Sequence, residues 1–482
     1  MTPLNFDVAV LGNGVVGWSL ARALRLQDAG VRVAVVGPPE RTGAATLAAG
    51  AMLGTFGEVT AATFASPAWR EKLELSLQAR SLWDDWVAGI NEAAAPGPEV
   101  TVGRRGTHVI LNTRSSAHDD RNFDAILRAL KDHREPYELN EPETIHGYEP
   151  VDDERSLKAL YIPNEGWIDP NALLAALEAT AARDENLVPL HWIATEIQAD
   201  NGGFRVLSQD GEEIATDQVV LAAGAATQQL IARSPVVATK IPPVLCGVGT
   251  SIVTRSETVL FDHVLRTPNR GGACGLHAVP RPGATYLGAG NILALEPSTR
   301  ARLRDVYELV GRATEQLSRA LSTSWIESIH VGNRPITLDT LPALGSAGVP
   351  GIWVATGTYR DGLNDSPAIA TALATEILGG ARTLSSEFEP VRQPHAFMSA
   401  DECVAAAAEQ LRGYFYEHGL SLRQRFDGLV EEAMLSRVQS LWASLDTTVA
   451  LQPDILIMLA WDPKKAEPVR RWLAERALGA TD

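Results

Sequence analysis

The strongest constraint in this chain is an apolar run, Phe6 to Leu11, followed at once by Gly12, Asn13, Gly14, Val15, Val16 and Gly17 and then by a helix-like segment reaching Ala29. The run predicts a buried strand. A Gly-x-Gly-x-x-Gly between strand and helix lets backbone N–H groups and the positive end of a helix approach a dinucleotide pyrophosphate. Gly12 allows the tight turn, Gly14 clears room for the phosphates, and Gly17 lets helix and strand pack closely. Val31, Val33, Val35 and Val36 follow at the distance expected for the second strand of a β-α-β unit. Taken alone, this turn suits NAD as well as FAD.

A chain of 482 residues is too long for one compact core and predicts two or three structural units. Its hydrophobic content of 45% is that of a globular protein, and a formal charge of -17 argues against nucleic-acid or anionic-membrane partners. The three cysteines, Cys246, Cys274 and Cys403, are widely spaced, which predicts neither a disulfide framework nor a metal site and fits a reducing cytoplasm. Neither a secretory signal nor an apolar run of membrane-span length is visible, so a cytoplasmic location is the expectation.

Downstream, a Gly/Ala-rich loop from Gly43 to Gly57 leads into a predicted helix from Trp69 to about Ala94, ended by Pro96, Gly97 and Pro98. Strands are expected over Thr101 to Leu111 and a helix over Asp119 to Asp132. Asp169 and Pro170 form a helix start before Leu173 to Ala182. Leu187 to Leu221 reads as strands with turns at Asn201 to Gly203 and at Asp210 to Gly211. Ile241 to Asn291 is β-rich, Thr299 to Leu321 helical, Gly351 to Ala355 a strand and Ser366 to Leu378 a helix. From Ser399 to Ala480 the pattern is mostly helical, broken near Gly419, Thr447 and Asp462, which predicts an appendage of about three to five helices.

Four further segments sharpen the opening motif. Thr46 to Leu53 resembles the loop that passes backbone amides around the flavin in glycine oxidases and related D-amino-acid-oxidase-type flavoproteins, with Thr46, Ala49, Gly50 and Met52 at the matching positions. Val219 to Ala225 resembles their second FAD contact, at Ala223 and Gly224. Gly332, Asn333, Arg334 and Pro335, with Asp339 and Leu341 to Gly345, resemble the family's Gly-x-Arg-Pro segment. Ala355 to Gly362, with Pro367, is similar to the final FAD-binding turn and contains Gly357, Arg360, Asp361 and Gly362.

The resemblance covers roughly Asp7 to Gly380. It implies an α/β fold: a Rossmann-like FAD-binding domain (1–95, 151–235 and 326–390) interleaved with an antiparallel-sheet substrate domain (96–150 and 236–325), plus a C-terminal helical extension (396–482). It also implies FAD as cofactor and a small-molecule amine or amino acid as substrate. Arg334 matches the arginine that pairs with the substrate carboxylate, and a guanidinium fork suits that task. Arg360 matches an arginine near the flavin and the substrate entrance. His277 sits where glycine oxidases tend to place an aromatic residue facing substrate, and Tyr359 is placed to wall the pocket. Structural roles for these four side chains compete with each assignment: an ordinary ion pair for either arginine, a satisfied core residue for His277 or Tyr359.

Three departures stand out. The second strand ends Val36, Gly37, Pro38, Pro39, Glu40, with no acid in the usual ribose-binding place unless Glu40 reaches back. Thr358 stands where many relatives carry His. Asn364, Asp365 and Ser366 replace an apolar stretch, which predicts a polar pocket mouth and a substrate larger or more polar than glycine, such as a larger amine or hydrazine joined to an acetate unit. No cysteine lies just before Gly332, which predicts non-covalent FAD. The expected activity is oxidation at the carbon next to nitrogen, with oxygen as acceptor. A dehydrogenase using a quinone or carrier, or a weakly catalytic homologue that docks a partner through the C-terminal helices, are the alternatives. Those helices are otherwise read as a flap or a homo-oligomer contact.

Overall fold

A computed structural model describes residues 4–113, 115–237, 241–271, 274–417, 424–447 and 449–478. The strand Leu4–Leu11 is central to an eight-stranded sheet. It lies parallel to Val33–Val36 on one side and to Glu213–Leu221 on the other. Leu187–Leu190 extends the parallel order beyond Val33–Val36, and Ile352–Thr356 runs parallel to the last residues of Glu213–Leu221. The first half of Glu213–Leu221 is instead paired antiparallel with Gly203–Ser208, which turns back on Ala194–Asp200 through the turn expected at Asn201.

One face of this sheet is covered by the helices Val15–Gln27, Pro67–Ala94, Pro170–Ala181 and Ser366–Ile377, whose apolar stripes share a core with Val8, Val10, Val33 and Val35. Their starts follow from local chemistry. Ser66 accepts from the Ala68 N–H at 3.2 Å, and Asp169 accepts from the Asn171 and Ala172 N–H groups at 2.8 and 3.4 Å, each ahead of a proline at the first helical position. The expected helix over Thr299 to Leu321 is shorter, Leu303–Gln316, followed by a 3-10 turn at Arg319–Thr323. Asn333 explains the late start, because its amide bonds both the N–H and the C=O of Ser298 at 2.8 Å and fixes a turn there.

A second sheet of nine strands carries the other half of the molecule. Its spine is the long antiparallel pair Leu245–Arg255 and Trp325–Ile336, with Gly247 opposite Arg334. His277–Arg281 and Ala284–Gly288 form a hairpin beside it. Two details differ from the sequence reading. The sheet contains one parallel pair, Val264–Arg266 with Thr107–Asn112. Ser156–Ile162 also belongs here, past the expected boundary at 150, because it hydrogen-bonds along Thr107–Asn112.

The C-terminal extension contributes the helices Ala400–Glu417, Gln424–Leu445, Pro453–Trp461 and Ala466–Leu478. The break expected near Gly419 lies outside the described residues. These helices do not stand apart: Val404, Leu411, Ile455 and Leu459 share one apolar cluster with Leu245, Leu293, Ile336 and Tyr359 of the body. The connecting segment is pinned by Arg392, which makes two hydrogen bonds, 2.8 and 2.9 Å, to the fully buried carboxylate of Asp339. Among the described residues no helix is long and apolar enough to cross a membrane.

Candidate active site

The two sheets meet along one cleft, with a cavity of about 490 Å³, that runs from the Gly12 turn to Arg334. At the first end the walls are backbone. Gly12 has φ +132°, and a Cβ there would overlap the Ala222 carbonyl. Gly17 lies behind the cleft, its Cα against the Gly12 carbonyl, in the packing role its spacing implies. The helix Val15–Gln27 begins with Gly14 as a bare cap and has no acid in its first turn, so its positive end faces the cleft uncompensated. Thr46 Oγ1 accepts from the Val15 N–H at 3.2 Å and ties the flavin-type loop to this helix start.

Glu40 does not reach back: it is exposed and outside the cleft lining. The physical reason is that Gly37 packs against Asn13, whose amide donates to Pro38 O at 2.7 Å, and this turns the chain outward before Glu40. Arg41 lines the cleft instead, donating to Asn13 O at 2.9 Å and pairing with Glu178.

In the middle of the cleft the loop containing Ala49, Gly50 and Met52 is held by its carbonyls. Tyr286 Oη donates to Ala48 O at 2.8 Å, and Arg281 donates to Ala49 O and Gly50 O at 3.2 and 2.8 Å. Ala223 and Gly224 line the opposite wall. The last turn closes the site with Gly357 at φ +73° behind the lining and Tyr359 at φ +51°, a left-handed conformation costly for a residue with a Cβ. Thr358, Arg360, Asp361 and Gly362 line the cleft beside it, and Asp361 is paired with Lys72 at 2.7 Å.

The expected polar mouth is formed only in part. Asn364 reaches the cleft, but Asp365 and Ser366 are buried against the helix Pro67–Ala94, where Ser76 donates to Asp365 at 2.8 Å. Burial, and then the neighbouring Asp361 carboxylate, push the Asp365 carboxyl up to about 8.

At the far end the walls are side chains. Arg334 Nη1 donates to Gly290 O at 3.1 Å and to Asn291 Oδ1 at 3.3 Å. Gly249, facing it from the adjacent strand, is needed because a Cβ there would occupy the guanidinium's place. His277 is buried and stacks on Tyr286, rings 5.7 Å apart at 16°, over Gly288, where a Cβ would strike the imidazole. Its Nδ1 lies 2.8 Å from Gly275 O, which assigns the proton to Nδ1 and leaves Nε2 as an acceptor. Burial, reinforced by the charge of Arg266, lowers its pKa to about 4, so the ring is neutral at physiological pH.

Next to it lies a pair that no sequence motif marks. Arg266, 1% exposed, donates to Glu58 Oε1 at 2.5 Å, and Asn269 donates to Glu58 Oε2 at 2.9 Å. Burial pushes the Glu58 carboxyl up, but Arg266, Arg360 and these hydrogen bonds outweigh it and bring the group to about 2. Both residues line the cleft. They lie 208 positions apart in the chain, and no local pattern signals the pair.

Arg360 is held by one hydrogen bond to Tyr359 Oη at 3.1 Å, while its buried Nε has no partner among the described residues. A glycine cradle at a free helix start and an unpartnered guanidinium N–H farther along fit a long anionic cofactor. The family model for DAO, FAD dependent oxidoreductase, matches residues 7–376.

The chain belongs to the DAO family of FAD-dependent oxidoreductases.

As a DAO-family protein it binds FAD, and the cleft is where its residues fit that cofactor. The bifunctional protein ThiO/ThiG of Synechocystis sp. is 22% identical over 388 residues, 77% of this chain. The chain spans about half the length of the curated relatives it matches, 51% in that case. Among solved structures, glycine oxidase from Geobacillus kaustophilus is 23% identical, with a TM-score of 0.69 over 81% of this chain and 99% of that one. Iminodiacetate oxidase from Chelativorans sp. BNC1 is 20% identical, with a TM-score of 0.67 over 81% and 100%. The family match ends before the extension begins.

Proposed function

We propose that this oxidoreductase acts on the carbon next to nitrogen in a small amino acid of the glycine, N-substituted glycine or D-amino-acid class, and that Arg334 binds the substrate carboxylate. The observation that carries this reading is a guanidinium in the cleft held, among the described residues, only by neutral acceptors. Among the described residues no carboxylate stands within ion-pair distance of Arg334. A cation in such a place is costly without an anion, and a carboxylate matches its fork in two places.

FAD, when bound along the cleft, supplies the hydride acceptor. We read it as non-covalent, since Val331 rather than a cysteine precedes Gly332. The chain's own part is orientation. Arg334 fixes one end of the substrate, the neutral His277 offers Nε2 to an amine N–H, and Arg360 with Tyr359 walls the cleft from the last turn. The Glu58–Arg266 pair adds dipole rather than net charge to the pocket. The imine formed on the substrate adds water and separates into an oxo acid and an amine, while oxygen is reduced to hydrogen peroxide.

Anaerobic reduction of the bound flavin by glycine, N-substituted glycines, hydrazine-linked acetates and D-amino acids, each beside the same amine without its carboxylate, tests the reading. Bleaching by at least one acid and not by its decarboxylated partner is expected. Equal bleaching by both would remove the carboxylate anchor.

A further inference from the structure

The helix Pro453–Trp461 belongs to the C-terminal extension, outside the family match, yet it is the most deeply buried helix of that region. Ile455, Leu456 and Leu459 are fully buried between the helices Ala400–Glu417 and Gln424–Leu445 and the strand Ile292–Ala294. Arg437 donates to Ala460 O and caps its far end, and Lys465 donates to Leu293 O at 3.1 Å just beyond it. A helix fixed this firmly holds its first turn in one place, and that turn carries Asp454.

Asp454 Oδ2 accepts from Tyr359 Oη at 3.1 Å and lies 3.8 Å from Arg360 Nη2. Tyr359 Oη in turn accepts from Asn291 Nδ2 at 2.6 Å and from Arg360 Nη2 at 3.1 Å. Asn291 Oδ1 accepts from Arg334 Nη1 at 3.3 Å. Every donor in this chain points the same way, from the Arg334 guanidinium through the Asn291 amide and the Tyr359 hydroxyl to one carboxylate. A run of hydrogen bonds aligned in one sense and ended by an anion polarises each member and removes the alternative orientations of the amide and the hydroxyl. The negative charge at its end also stands beside Arg360, a further guanidinium of the site.

We infer that Asp454 is a positioning residue for the substrate site: from the C-terminal extension it anchors Tyr359 and Arg360 and, through Asn291, sets the pose of Arg334. The extension thereby supports the pocket wall from behind. This rests on the reading of Arg334 as the carboxylate anchor.

The test uses the full-length, FAD-loaded protein as wild type, Asp454→Asn, Asp454→Glu, Arg334→Ala and the double variant Asp454→Asn/Arg334→Ala. Two quantities are read: steady-state constants for the best amino acid of the panel, and binding of benzoate, a non-reacting carboxylate, followed by the spectrum of the bound flavin. Asp454→Asn should raise KM and the benzoate Kd about tenfold while kcat falls by less than about threefold, with Asp454→Glu in between. In the Arg334→Ala background the same change should cost less than about twofold, because the chain then has no guanidinium to orient. If Asp454→Asn binds flavin normally and leaves KM and benzoate affinity within about twofold while Arg334→Ala weakens both, the inference is wrong and the anchor reading stands. Equal losses in both backgrounds would also overturn it. If Arg334→Ala leaves benzoate affinity unchanged, the anchor reading falls and takes the inference with it.

Discussion

The two ends of the cleft are built from different materials. At the dinucleotide end the contacts are backbone: a glycine turn, a bare helix start and a loop whose carbonyls are held from behind by Arg281 and Tyr286. At the proposed substrate end they are side chains drawn from Glu58, Arg266, His277, Arg334, Tyr359, Arg360 and, one layer back, Asp454. Backbone sites depend on space and on main-chain angles, so they fail by steric overlap. Side-chain sites depend on charge and on hydrogen-bond geometry, so they fail by degrees and respond to pH.

The largest effect expected is at the backbone end. Gly17→Val puts a branched side chain where the Gly12 carbonyl already lies, and neither backbone can move without displacing the Leu4–Leu11 strand. The purified variant should carry almost no flavin per protein by absorbance; a full complement would mean that this end adapts as readily as the other.

Next comes the anchor. Arg334→Ala should raise KM about 100-fold, and Arg334→Lys should recover only part of it because an ammonium lacks the two-point fork. An unchanged KM with full kcat would show the substrate end to be as insensitive to single charges as the glycine turn.

The smallest effect is a difference in acid stability. His277, His118 and His108 are held by burial at about 4, about 4 and about 3, below the ordinary 6.5. The unfolded chain therefore binds protons first, and stability is lost as pH falls from about 6.5 towards 4. His277→Gln should flatten that loss by a few degrees of melting temperature, about 2–4 °C between pH 6.5 and 4.5. The slope from Asp365, which runs the other way as pH rises towards about 8, is common to both proteins and cancels in the difference. Identical profiles would mean that the imidazole does not stay neutral in the folded protein.

Much of the dinucleotide end was legible because each requirement is met within a few residues. Gly12, Gly14 and Gly17 satisfy one turn, Asp169 and Pro170 start one helix, and Val219 to Gly224 form one strand end. Glu40 shows the limit even there, since the Gly37–Asn13 packing that turns it outward joins residues on two strand ends. At the far end, motif position pointed to Arg334 and His277, and both line the cleft, whereas the pairs Glu58 with Arg266 and Asp454 with Tyr359 carried no such signal. These partners are 208 and 95 residues apart, and only sheet register and helix packing bring them within hydrogen-bond distance.

By itself, then, the sequence determined the α/β class, the glycine cradle for a dinucleotide, the β-α-β unit around it and a helical tail, because hydrophobic period, glycine spacing and helix caps act locally. Only the tertiary structure decided that Arg41 rather than Glu40 borders the cleft, that Asp365 is buried rather than at the mouth, and that the tail reaches the site. Those outcomes depend on which surfaces share a core: Leu293, Ile336 and Tyr359 of the body pack with Ile455 and Leu459 of the last helices, and that shared apolar burial brings Asp454 to Tyr359, behind the cleft lining.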